Sequence, residues 1–129
     1  MTFHNGLGQN LQSHKWNSRV ILLFSDEFDS EKLQLQRTEI FSDPDGLKDR
    51  KLIVYTVLRS GYSKEPFKGE WIKSNQFASL KKSKEDFEVV LIGLDGMVKF
   101  RNDSLVPIQR IFDIIDGMPM RRLELKQKN

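Results

Sequence analysis

Four acidic side chains crowd the end of the most apolar run in the chain: Val20 to Phe24 is followed by Ser25, Asp26, Glu27 and Asp29, with Glu31 just beyond. Neighbouring carboxylates are the donors that a hard cation takes. No glycine stands where a calcium loop needs its sharp turn, however, and acids at a helix start favour the helix dipole without any ion. No metal site is predicted. Ser25, Asp26 and His14 have the residue types of a hydrolase triad, but the chain has no nucleophile elbow of the GxSxG kind to present the serine. His4 and His14 are the two histidines, and without cysteine they do not make a zinc set. No cofactor is predicted either.

Arginines are the more promising chemistry. Arg19 precedes the apolar run, Arg101 ends the fourth strand-like segment, and Arg121 and Arg122 follow the last helix-like segment. Guanidinium groups recognise carboxylates and phosphates with two parallel hydrogen bonds, so these four are candidates for a small anionic ligand or a protein partner. The competing and favoured reading is structural: they pair with Asp103, Asp116 or Glu124 and pin the C-terminal segment to the body. Met118 and Met120 read as adaptable fillers that dock that segment. Trp16, Trp71, Tyr62 and Phe67 are expected either in the core or as an exposed aromatic cluster.

The elements that must position these groups fit one domain. A chain of 129 residues with 38% hydrophobic content is long enough for a single core. The net charge of +3 resides in the last stretch, where Arg121, Arg122, Lys126 and Lys128 face only Glu124. That patch is too small, and too poor in stacking residues, to predict nucleic-acid binding. The longest aliphatic run is five residues, against the ~18 of a membrane span. Val20 to Phe24 predicts a central strand, and Asp29 or Ser30 predicts the cap of a helix ending near Phe41. Ser42 to Gly46 reads as a turn, Leu52 to Leu58 as a second strand parallel to the first, and Ser60 to Asp86 as an irregular loop with a short helix over Asn75 to Lys82. Glu88 to Ile92 and Met97 to Arg101 predict a hairpin around Asp95-Gly96, and Ile108, Ile111, Phe112 and Ile115 predict a final helix closed by Gly117 and Pro119.

This order resembles thioredoxin-like domains. His14-Lys15-Trp16-Asn17-Ser18-Arg19, the hairpin segment Val90 to Lys99, and Ile115 to Arg122 with its Met118-Pro119-Met120-Arg121-Arg122 ending are similar to a bacterial family known only as a domain of unknown function. That family in turn resembles the DUDES domain of secreted sushi-repeat and matrix proteins. The resemblance implies an α/β, thioredoxin-like, peroxiredoxin-like fold. The expected sheet is mixed and four-stranded, in order 2-1-3-4, with the third strand antiparallel to the first and helices on both faces. Residues 1–9 are expected to be a flexible N-terminus that looks like the end of a secretion signal, 10–126 the domain and 127–129 a tail. The resemblance implies export to the periplasm or medium; the N-terminus as it stands, without an apolar leader, points to the cytoplasm. Pro107 departs from the family pattern, which usually has a polar helix cap there.

In thioredoxin-like enzymes the reactive cysteine follows the first strand. Here that segment reads Ser25, Asp26, Glu27, and Asp86-Phe87 stands where those enzymes place a cis-proline before the third strand. A serine hydroxyl forms no disulfide or sulfenic acid, so thiol redox catalysis is excluded. The leading reading is a non-catalytic binding or interaction module. The alternative is an enzyme of unrecognised type using Ser25, Asp26, Glu27 and an arginine in a crevice at the end of strand one.

Overall fold

The computed structural model describes residues 13–128. One mixed sheet contains β1 (Arg19–Ser25), β2 (Leu52–Leu58), β3 (Gly61–Lys64), β4 (Phe87–Ile92) and β5 (Val98–Asn102) in the order β3-β2-β1-β4-β5. β1 is buried along its whole length, as a run without polar alternation requires. It runs parallel to β2, with Ile21 beside Val54, and antiparallel to β4, with Ile21 beside Leu91. The α/β class and the order of the four expected strands therefore hold. The sheet has five strands rather than four because Gly61–Lys64, expected to be irregular, folds back on β2 as an edge strand.

Four α-helices lie wholly within the described residues: α1 (Glu31–Ile40), α2 (Pro44–Asp49), α3 (Ile108–Asp116) and α4 (Pro119–Lys128). The first three send Leu33, Ile40, Leu47, Ile111 and Phe112 onto the face of Ile21 and Leu23. The opposite face carries Val20, Leu22 and Phe24, and the 60–86 segment covers it with Tyr62, Phe77 and Leu80. Helical cover on that side is a single 3-10 turn, Ala78–Leu80, in place of the longer helix expected over Asn75 to Lys82.

Capping chemistry explains where the helices start. Ser30 Oγ accepts from Leu33 N–H, and Asp43 accepts from Gly46 N–H at 3.0 Å. The Ser42 to Gly46 stretch is thus the beginning of α2 and not merely a turn, with Pro44 in the first turn where its missing N–H costs nothing. Pro119 does the same for α4, so it opens a further helix after closing α3. Pro107 offers α3 no side-chain cap. The cap comes from α1: Glu39 Oε2 accepts from Ile108 N–H at 2.8 Å, and the buried Gln36 amide exchanges two 2.8 Å bonds with the Val106 backbone. The β4–β5 connection is wider than a two-residue turn, because Gly93 N–H reaches Met97 O and Gly96 takes a φ of 80° that favours glycine.

Candidate functional site

The acidic segment after β1 is committed to local structure. Ser25 is buried and donates to Glu27 O at 2.8 Å, Glu27 is exposed, and Asp26 pairs with Arg59 at 3.1 Å. Asp26 and an arginine do converge, but Arg59 is 81% exposed, so the pair lies on open surface. His14 is bonded elsewhere, its Nε2 2.8 Å from the Tyr55 hydroxyl. Burial, with the Lys64 ammonium adding to it, holds His14 below its ordinary value, while burial raises the Tyr55 phenol. Among the described residues no group of three acidic or histidine side chains is placed to hold a metal ion.

The aromatic residues divide into separate groups. Tyr62 is in the core against Tyr55 and Phe77; Phe67 and Trp71 pack with Phe28, over which the Arg37 guanidinium lies at 4.8 Å; Trp16 stands apart, 58% exposed. Beneath Phe28 is a pairing that sequence reasoning missed. Glu65, its side chain wholly buried, accepts from Arg37 Nε at 2.8 Å and Nη2 at 2.9 Å, from Thr56 Oγ1 and from Phe67 N–H. A cavity of about 430 Å³ opens beside it, lined by Ser63, Lys64, Pro66 and Ile72 among others. The Glu65 carboxylate at its base already has its partners, and the flanking lysines point to a solvated surface.

The four candidate arginines have different fates. Arg101 reaches across to buried Glu88 at 3.3 Å and to Leu80 O at 2.8 Å, and Glu88 also accepts from the backbone of Lys82 and Ser83. This fastens the 60–86 segment to the sheet. Arg122 is exposed. Arg19 and Arg121 are both buried and share Glu124. Arg121 also binds Asp116 at 3.1 Å and the Asp49 backbone at 3.0 Å, and Arg50 clasps Asp116 from the other side. Burial alone would raise the Asp116 carboxyl, but its bonds to Arg50 and Arg121 hold it below its ordinary value. Of the expected carboxylate partners, Asp116 and Glu124 are used; Asp103 accepts instead from Ser83 Oγ.

A second cavity, about 270 Å³, lies between the start of β1, the β4–β5 connection and the start of α4. Its walls are Arg19, Leu94, Asp95, Lys99 and the Met118-Pro119-Met120 segment. Lys99 is tied to Asp95 at 2.7 Å, a bond that holds the Asp95 carboxyl below its ordinary value. Trp16 N–H donates to Leu94 O at 2.6 Å, which fastens the residues before β1 to the rim. Trp16 takes a φ of 70°, left-handed backbone that a bulky side chain seldom adopts. Met97 is 63% exposed and Met120 43%, whereas Met118 is half-buried against the core. Met118 docks as expected, then, while Pro119 and Met120 remain at the surface.

A family model described as Domain of unknown function (DUF4174) matches residues 10–124. The chain belongs to this family. No curated protein and no solved structure matches the chain. In this DUF4174 domain the segments around Trp16, Leu94 and Met120, distant in sequence, all fall within the matched span and meet around the smaller cavity. No helix among the described residues is long and apolar enough to cross a membrane.

Proposed function

We propose that this DUF4174 domain is a non-catalytic binding module on a thioredoxin-like plan, related to DUDES domains, and that it engages a protein partner through the Trp16, Met97 and Met120 end. One observation carries the reading: exposed Trp16 is backbone-bonded to Leu94 on the cavity wall, exposed Met97 lies in the same β4–β5 connection, and exposed Met120 lines the cavity. Trp is the side chain most enriched at the energetic centres of interfaces, and methionine adapts to irregular partners. Ser25 and Asp26, by contrast, spend their polar side chains on the Glu27 carbonyl and on Arg59. The resemblance to secreted proteins makes work outside the cytoplasm part of the same proposal.

Photo-cross-linking in the native cell tests it. A cross-linking residue at position 97 should give discrete adducts that vanish on Trp16→Ala, and one at position 27 should give none. Adducts from position 27 alone, or turnover of a substrate lost on Asp26→Asn, would move the site to the end of β1.

A further inference from the structure

We infer that the cavity between β1, the β4–β5 connection and α4 takes a carboxylate carried on a short apolar chain. This deepens the reading of that end as the binding face and rests on it. Arg19 lines the cavity and is fully buried. Its Nη1 donates to Arg50 O at 2.8 Å and to Glu124 Oε1 at 3.3 Å, and its Nη2 to Glu124 Oε2 at 3.1 Å. Its Nε has no acceptor among the described residues. A buried charged donor without an acceptor is strongly unfavourable, and an anionic oxygen satisfies it with a charge-assisted bond.

Two further features of the same place favour an anion. Helix α4 begins on the cavity wall, and its ladder starts with Arg122 N–H to Met118 O, so the N–H groups of Met120 and Arg121 precede the first rung. That is the positive end of a ten-residue helix. Cations also outnumber carboxylates behind the cavity: Arg19, Arg50, Arg121, Lys51 and Lys128 share Asp49, Asp116 and Glu124.

The remaining walls decide what the anion is attached to. Leu94, Met118, Pro119 and Met120 are apolar and would be left uncovered by a bare inorganic ion. Asp95 on the wall and Glu124 paired with Arg19 oppose a dianion such as phosphate more than a monoanion, so a monoanion with an aliphatic body is the complement. That chemistry has two sources, a free aliphatic acid or the C-terminal carboxylate of an apolar peptide.

The test is an amide-shift titration of the full chain with hexanoate, hexanol, sulfate, and N-acetyl-Leu-Leu as acid and as amide. Hexanoate or the peptide acid should shift the Leu94, Lys99, Met120 and Arg121 amides saturably, with a Kd near ~1 mM or below. Hexanol and sulfate should bind at least about tenfold more weakly, a loss of one charged or one apolar contact. Preference for peptide acid over both its amide and hexanoate assigns the site to a partner's C-terminus; preference for hexanoate assigns it to a free acid. Met120→Glu, at an exposed position, should abolish the shifts while leaving the rest of the spectrum in place. Absence of saturation by either acid, sulfate equal to hexanoate, or unaltered binding by Met120→Glu would overturn the inference. Cross-links from position 97 that persist without acid binding would overturn the ligand class alone; acid binding without cross-links would overturn the partner reading alone.

Discussion

Arg19 and Glu124 lie 105 residues apart and meet as a two-pronged ion pair, with Nη1 to Oε1 at 3.3 Å and Nη2 to Oε2 at 3.1 Å. Arg19 is fully buried and Glu124 is largely so, which makes the desolvation of each tolerable only while the other is present. Glu124→Ala is therefore expected to cost about 3 kcal/mol by leaving a buried guanidinium with fewer acceptors, and Arg19→Met combined with Glu124→Leu to restore most of it. Urea denaturation of the single and double variants checks this. An unchanged midpoint for Glu124→Ala would show that the pair contributes nothing.

Adjacent residues of the Met120-Arg121-Arg122 stretch should behave oppositely. Arg121 is buried and holds Asp49, Asp116 and Glu124, so Arg121→Ala is expected to cost about 3 kcal/mol. Arg122→Ala, at an exposed position, should stay within about 0.5 kcal/mol of the parent. Thermal melts of the two variants measure the contrast.

Gly61 is a close-approach position. A Cβ there would fall 2.5 Å from the Ile72 carbonyl oxygen, in the bridge where Tyr62 and Ile72 exchange backbone bonds of 3.0 and 2.9 Å. Gly61→Ala is expected to cost on the order of 1–3 kcal/mol and to speed exchange of the Tyr62 and Ile72 amides. Unaltered exchange would place the strain elsewhere.

What was legible in the sequence was whatever periodicity or caps express. Val20 to Phe24 announced the central strand, and Ile108, Ile111, Phe112 and Ile115 announced α3. β3 escaped because Gly-Tyr-Ser-Lys is too short to alternate, and its pairing depends on Thr56 and Val57. α4 escaped for a different reason: its buried residue is an arginine, so its inward face carries charge where a pattern search looks for carbon. For the candidate site, the four arginines could be named, but not which would be buried. Glu65 and Glu88 gave no signal, since only the fold brings Arg37 and Arg101 to them.

Acid should weaken the fold in two windows. His14 is held below its ordinary 6.5, so below that pH the unfolded chain takes up a proton that the folded one resists. Stability falls as pH drops from 6.5 to the lower folded value, and His14→Gln should flatten that limb. Asp116 is held below its ordinary 3.8, so its contribution is complete above that pH and is lost as pH falls through the folded value. Asp116→Asn should shrink that second limb, to which Asp95, also held below its ordinary 3.8, contributes as well. Denaturant midpoints from neutral pH down to about 2 separate the two.

The caps that α1 lends to the start of α3 tie two distant parts of the chain to one event. Ile108 N–H is held by Glu39, 69 residues away, and Val106 N–H by Gln36, 70 residues away. Each acceptor belongs to another helix, so fraying of the start of α3 must also break a bond to α1. Departure of α1 from the sheet would strip both amides of their acceptors, which joins residues 31–40 and 106–108 in one expected cooperative unit. With a proline at its N-cap position and no side-chain cap of its own, α3 borrows its start from its neighbour.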